Sequence, residues 1–157
     1  MQKEWQDALA TMTYGIYVLT SGAGQDINGM IASWVTQVSY DPPLILVAVH
    51  PNRRTHYLVE KSKAFVLHVL SSDQKGLMPR FKGPDPLGKF EGLQWDSGLT
   101  GCPILRDCVA FLECELRETY RPGNHSLFVG EIVNGRVISN SQVLTTLEYQ
   151  GTYTGRV

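Results

Sequence analysis

No stretch of the sequence approaches the roughly 20 consecutive apolar residues that a membrane-spanning helix needs, so no helical span and no membrane partner are expected. An excess of either charge is also missing. The 14 Lys and Arg stand against 15 Asp and Glu, a formal net charge of −1, which removes the basic field that nucleic-acid binding requires. Cysteine is scarce. Cys102, Cys108 and Cys114 are odd in number and show no CxxC spacing, which argues against a disulfide framework and a zinc site alike. They read as reduced thiols in or near a core. The histidines His50, His56, His68 and His125 form no HExxH pattern, so no metal is implied. The opening MQKEWQDALA carries charges and no apolar h-region, so it is not read as a secretory signal, and a cytoplasmic protein is expected. Ser-His-Asp spacing, a glycosidase-like carboxylate pair and a P-loop are all missing. If the chain is an enzyme, a cofactor carries its chemistry.

What is present is a β-rich pattern. A length of 157 residues suits one domain, 1–157, with a real core. Trp5, Leu9 and Met12 recur at helical spacing, predicting an amphipathic helix over 2–12. TYGIYVLTS, aromatic and β-branched, predicts a strand. SGAGQDING is turn chemistry. Its Gly22 and Gly24 are followed by a strand rather than a helix, so no dinucleotide-binding loop is expected. Strands follow at 29–40 and 43–49, then a short helix in THYLVEKS, a strand in AFVLHVL with a structural His68, and a second short helix in SSDQKGLM. Residues 82–103 read as a long binding loop or lid with Phe81, Phe90 and Trp95 as apolar anchors. Residues 108–119 and 125–133 read as strands, and Asn134-Gly135 signals a hairpin joining EIV to RVI. TTLEYQGTYTGRV closes the chain as a strand or extended tail. Strands without regular helical crossovers predict a mainly β fold, an antiparallel barrel with short peripheral helices.

Two stretches carry candidate chemistry. In NGMIASWVTQVSYDPP, alternation puts Met30, Ala32, Trp34, Thr36 and Val38 on one face and Ile31, Ser33, Val35, Gln37 and Ser39 on the other. Small hydroxyls and close backbone would suit the edge of a flat heteroaromatic ligand, while a strand with one wet face explains the same polarity. In PNRRTH, two arginines and a threonine sit at an expected helix start, where free N–H groups and positive partial charge favour a phosphate-sized anion. A solvated basic turn with Thr55 as N-cap is the alternative. His125 begins a strand after the Pro122-Gly123 turn, a place at a barrel mouth or an ordinary loop end.

Taken together, TYGIYVLTS, NGMIASWVTQVSYDPPLILVAV, NRRTHYLVEKSKAFVLHVL, RFKGPDPLGKF, GCPILRDCVAFLECEL and GNHSLFVGEI resemble, in order and over nearly the whole chain, the flavin reductase-like family. Its fold is the FMN-binding split β-barrel. The resemblance is strongest to the flavin reductase modules of flavodiiron proteins and to flavoredoxin-type proteins. It implies FMN, with FAD as the other candidate flavin, held at a homodimer interface, and NAD(P)H as co-substrate. It also implies a redox protein partner of flavodiiron or rubredoxin-like type. By the same resemblance Met30, Ala32, Ser33 and Trp34 would lie along the flavin, and Gln37, Val38 and Ser39 near its ring or ribityl edge. Asn52, Arg53, Arg54 and Thr55 would hold the phosphate, and His125 would stand near the nicotinamide. Asn124 stands where many relatives carry Asp, so no charge-paired histidine is implied. The implied activity is NAD(P)H-dependent flavin reduction; the alternative is an electron carrier reduced by a protein and lacking a productive NAD(P)H site. The chain has no histidine–carboxylate set for a diiron centre, so it is either a free-standing relative or an excised domain.

Overall fold

A computed structural model describes residues 2–149 and 151–155. Its centre is a seven-stranded antiparallel sheet in the order β2-β1-β5-β8-β9-β4-β3. These strands are β1 (Tyr17–Ala23), β2 (Asp26–Ala32), β3 (Val35–Ser39), β4 (Leu44–Val49), β5 (Ala64–Val69), β8 (Ala110–Tyr120) and β9 (Ser126–Val137). A small ribbon pairs β6 (Trp95–Ser97) with β7 (Pro103–Leu105). The edge strands β2 and β3 are consecutive in the chain and joined only by Ser33-Trp34. The sheet therefore curls until its two edges approach without pairing, a barrel split along one seam. The expected fold class, mainly β with short peripheral helices, is what forms.

β1 and β5 read as continuous apolar runs because both faces of the sheet are covered there. Leu19, Phe65 and Leu67 point into the barrel with Val47, Val49, Cys114 and Phe128. Val59 of helix α2 (Arg54–Ser62) joins that core. Val18 and Ile27 face outward against Met78 and Phe81 of α3 (Leu77–Lys82), with Phe90, Leu105 and Leu144. The anchors foreseen for the 82–103 segment thus pack on the outside of β1 and β2. His68 lies in β5 at 0% exposure and is structural: Nδ1 donates to Val18 O and Nε2 accepts from Leu105 N–H, both at 3.0 Å. The three cysteines are buried and free.

Several boundaries differ from the sequence expectations. The segment expected as one strand, 29–40, is two, broken at Ser33-Trp34 where Ala48 N–H donates to Trp34 O and the chain changes partner. The turn chemistry of SGAGQDING shrinks to Gly24-Gln25, with Ala23 paired to Asp26 and Gly24 at φ +61°, as a two-residue hairpin requires. The Asn134-Gly135 hairpin does not form. β9 continues through it, with Asn134 opposite Glu113 and Gly135 opposite Leu112, and its register shifts between Asn134 and Ile132. The helix expected over 2–12 is α1 (Gln2–Leu9), continued by single turn bonds to Met12, and it buries no residue. The short helix expected in SSDQKGLM divides into a 3-10 turn, Ser72–Gln74, and the start of α3. The closing strand or tail is a tail after a single bridge, Gly15 to Thr145; Gln150, Arg156 and Val157 lie outside the described residues. Among the described residues, no helix is long and apolar enough to cross a membrane.

Candidate functional site

A cavity of about 830 Å³ opens where the seam splits. Its floor is β2 and the β2–β3 joint, through Met30, Ile31, Ala32, Ser33 and Trp34. His50 and the start of α2, Asn52 to Thr55, form one end. Phe81, Lys82 and Lys89 form the opposite wall, and Thr146, Tyr149, Thr152 and Tyr153 of the closing segment cross it. The break at Ser33-Trp34 is what exposes this floor, since a strand running on as β3 would keep its backbone in the ladder.

At the α2 end the helix cap is Arg53, extended at φ −82°, ψ 134°, with no side-chain capping bond. Thr55 is therefore not the N-cap. It sits in the first turn at 0% exposure, and among the described residues its Oγ1 has no partner although the residue lines the cavity. A buried hydroxyl without a partner is costly, and here it stands beside the free N–H groups of a nine-residue helix. The two arginines differ. Arg54 is turned to Asp26, Nη2 to Oδ1 at 2.7 Å, and lies over the Tyr57 ring at 5.0 Å. Lys61 and Arg54 together hold the Asp26 carboxyl below its usual range. The charge of Arg53 instead faces the cavity, where it adds to the depression that burial causes at Lys89 and His125 and offsets part of the rise that burial causes at Tyr153.

Among the described residues, Trp34 carries the second unpaired buried atom, its indole Nε1. Its ring packs on His125 (centroids 4.8 Å apart) and Tyr153 (5.0 Å). His125 is buried, with Nδ1 at 2.8 Å from Asn124 Oδ1 and Nε2 at 2.8 Å from the Tyr153 hydroxyl. Burial, then His50 and Arg53, push its pKa down, which keeps the ring neutral at pH 7. The neutral ring carries its proton on Nδ1, donated to Asn124, and accepts from Tyr153 O–H at Nε2.

Of the residues expected at the site, the structure gathers Met30, Ala32, Ser33, Trp34, Asn52, Arg53, Arg54 and Thr55 around one cavity. His125 stands just behind it, screened by Trp34 and Tyr153. Gln37, Val38 and Ser39 are not brought to the cavity of this chain. They lie on edge strand β3, where Gln37 Nε2 donates to Ser39 O and Val38 is 47% exposed. Several lining residues escaped the sequence reading, Lys89 and Tyr153 among them. Lys89 is buried at 8% exposure and donates from Nζ to Gly29 O at 2.9 Å; burial, then Arg53, depress its pKa. Its only signal was a lysine between apolar anchors in a Gly- and Pro-rich loop. Tyr153 sits in a tail with no periodicity. A flat, phosphorylated heteroaromatic group fits this donor set: anion donors at the α2 end, apolar floor and small side chains along β2.

Comparison with known proteins agrees with the geometry. The model of the "Flavin reductase like domain" matches residues 9–155. The chain is 33% identical over 146 residues to the High molecular weight rubredoxin of Moorella thermoacetica, covering 90% of this chain and 64% of that protein. It is 32% identical over 147 residues to the Ferric-chelate reductase (NAD(P)H) of Archaeoglobus fulgidus, covering 91% and 87%. It is 31% identical over 153 residues to Diflavin flavoprotein A 1 of a Synechocystis strain, covering 96% of this chain but 26% of that protein. The chain thus spans under two thirds of the rubredoxin and about a quarter of the diflavin relative. Among solved structures it superposes on BorF, the flavin reductase component of a bacterial two-component tryptophan halogenase, with TM-score 0.82 and 30% identity over 92% of each chain.

Proposed function

The chain belongs to the flavin reductase-like domain family, and from that premise we propose that it binds FMN and works as an NAD(P)H:flavin oxidoreductase. Electrons pass onward to a protein or flavin acceptor. The observation that carries this reading is the unpaired, fully buried Thr55 hydroxyl at the start of α2, beside the cavity-facing charge of Arg53. A phosphate satisfies both. Met30, Ala32, Ser33 and Trp34 then bear the ring system, and the unpaired Trp34 Nε1 offers it a donor.

When bound, the flavin supplies the hydride acceptor. The protein's part is positioning and charge. Arg53, Asn52 and the α2 N-terminus anchor the phosphate end, so that the ring end is fixed by lever arm and packing. Lys89, held by Gly29 O, adds positive charge beside β2, suited to an electron-rich ring edge. His125, neutral and fixed by Asn124, presents Nε2 as an acceptor without exchanging a proton in the hydride step. A second subunit completes the site, since β3 leaves Gln37, Val38 and Ser39 at an open sheet edge. The buried free thiols suit a reducing, cytoplasmic setting.

The test is direct. The purified protein is expected to show a bound-flavin visible spectrum that bleaches anaerobically on adding NADH or NADPH. A colourless protein that binds no FMN on titration would refute it. A second reading, an electron carrier reduced by a redox protein of rubredoxin or flavodiiron type, is favoured by one observation: Tyr153 covers His125. It predicts a flavin spectrum that photoreduction bleaches and nicotinamide does not.

A further inference from the structure

The closing segment does more than end the chain. Thr146 is tied to Tyr14 by two bonds, its own N–H to Tyr14 O at 2.9 Å and Tyr14 N–H to its Oγ1 at 3.0 Å. Beyond it the attachment thins. Among the described residues, 151–155 make no backbone–backbone hydrogen bond. Side chains hold them: Thr152 Oγ1 donates to Ala10 O at 3.2 Å, the Tyr153 hydroxyl donates to His125 Nε2 at 2.8 Å, and Arg53 donates to the Tyr153 hydroxyl. The Tyr153 ring rests on Trp34 with centroids 5.0 Å apart, and His50 meets the far side of His125 at 5.2 Å.

A planar ring carrying an O–H donor therefore occupies an aromatic box at the cavity wall, and the segment that delivers it is fixed mainly by side chains. We propose that Tyr153 stands in the place of the hydride donor's ring and sets which donor can enter. The inference rests on the flavin reductase reading above. The chemistry of the replacement follows from the histidine. Asn124 Oδ1 takes the Nδ1 proton, so Nε2 can only accept. An entering ring must bring a proton donor at its edge to replace Tyr153 O–H. A carboxamide on a reduced pyridine ring does so with its N–H; the corresponding carboxylate, with no proton to give, leaves Nε2 unpaired. The box selects amide over acid. Because part of the population has Tyr153 seated, the donor's apparent affinity is reduced by the open fraction.

Tyr153→Ala and Tyr153→Phe test this in the flavin-loaded protein. For Tyr153→Ala, KM for NADH and NADPH is expected to fall about tenfold. Tyr153→Phe keeps the ring and loses the hydroxyl, so a smaller fall is expected. Reduced nicotinic acid adenine dinucleotide is expected to be a poor donor with all three proteins. Carbethoxylation of His125 by diethyl pyrocarbonate, followed by mass spectrometry, reports the cover without any turnover; Tyr153→Ala is expected to speed it about as much as it lowers KM. An unchanged modification rate overturns the cover. Faster modification with an unchanged or higher KM overturns the donor's place, and equal use of the acid and amide donors overturns the selection. If neither wild type nor variants oxidise NADH or NADPH, the reductase reading falls and takes the proposal with it, whatever the modification rate shows.

Discussion

His68 on β5 accepts the backbone N–H of Leu105 on β7 at Nε2, 3.0 Å away, and so fastens the small ribbon to the main sheet. Its other nitrogen donates to Val18 O. Protonating the ring would turn that acceptor into a donor facing a donor. Burial pushes the His68 pKa from 6.5 down to about 4.

The pH dependence follows. Between those two values the unfolded chain binds a proton that the folded chain refuses. Stability therefore rises with pH across this window. The contribution is complete above about pH 6.5 and lost as pH falls toward 4, an amount of roughly 3 kcal/mol. Urea denaturation at steps from pH 7 to 4 is expected to show this slope, and His68→Gln to flatten it. The same slope in both proteins would mean that other groups cause it.

The arginine pair can now be split. Arg53→Ala is expected to weaken FMN about tenfold or more, the loss of a charge-assisted bond worth about 1.5–3 kcal/mol, and to leave riboflavin nearly unaffected. Arg54→Ala is expected to change FMN affinity little, because Arg54 is committed to Asp26. Isothermal titration of both flavins with both variants decides. Equal losses for FMN and riboflavin would move the phosphate elsewhere.

Thr55→Val should separate binding from folding. The valine keeps the shape and removes a buried hydroxyl that has no partner. The flavin-free protein is expected to gain on the order of 1 kcal/mol, since an unsatisfied buried polar group costs about that much or more, while FMN binds less tightly. Thermal melts with and without FMN would show the two effects with opposite signs. A destabilised flavin-free variant would mean that the hydroxyl is satisfied after all.

The positions of the strands and the gathering of Asn52, Arg53, Arg54 and Thr55 at the cavity were legible because they rest on local signals: apolar runs for β1, β4 and β5, and arginines before a helix start. What was not legible depends on partners distant in sequence. Asn134-Gly135 carries the local chemistry of a turn, but Asn134 Nδ2 donates to the Glu113 carboxylate and Gly135 lies where a Cβ would meet Leu112 Cδ2 and Phe111 O, each at 2.9 Å. Those contacts come from β8, and they keep β9 in the ladder. Lys89 and Tyr153 reach the cavity because an irregular loop and a tail fold back, which no periodicity encodes.

Gly135→Ala tests that account. In a two-residue hairpin turn the glycine is needed for positive φ; in a straight strand it is needed for space. Overpacking against β8 is expected to cost about 1–3 kcal/mol. Asn134→Ala should also destabilise, by removing one of the two donors to Glu113 Oε1, the other being Leu99 N–H; burial raises the Glu113 pKa, but hydrogen bonds from Thr100, Asn134 and Leu99 hold it below its usual value. A hairpin turn would instead tolerate Asn134→Asp well, whereas a second carboxylate against Glu113 is expected to be the worst of the three. Denaturation midpoints rank the variants.

The last prediction concerns β3. It pairs with β4 on one side only, and an open edge invites another chain. Val38 at 47% exposure and Tyr40 at 89% lie along or just beyond it. A monomer leaves Gln37, Val38 and Ser39 outside the cavity, yet Trp34, one step before the strand, lines it. A second copy packed on this edge would cover the apolar side chains and bring β3 against a flavin held by either chain. Light scattering at micromolar concentration is expected to give twice the chain mass. Val38→Lys places a charge in that contact and is expected to give monomers whose FMN affinity falls about tenfold, since a desolvated, unpaired charge disfavours the interface by well over 1.4 kcal/mol. A wild-type monomer that still holds FMN would defeat the claim. A Val38→Lys dimer with full affinity would place the interface on another face and leave β3 a solvated edge.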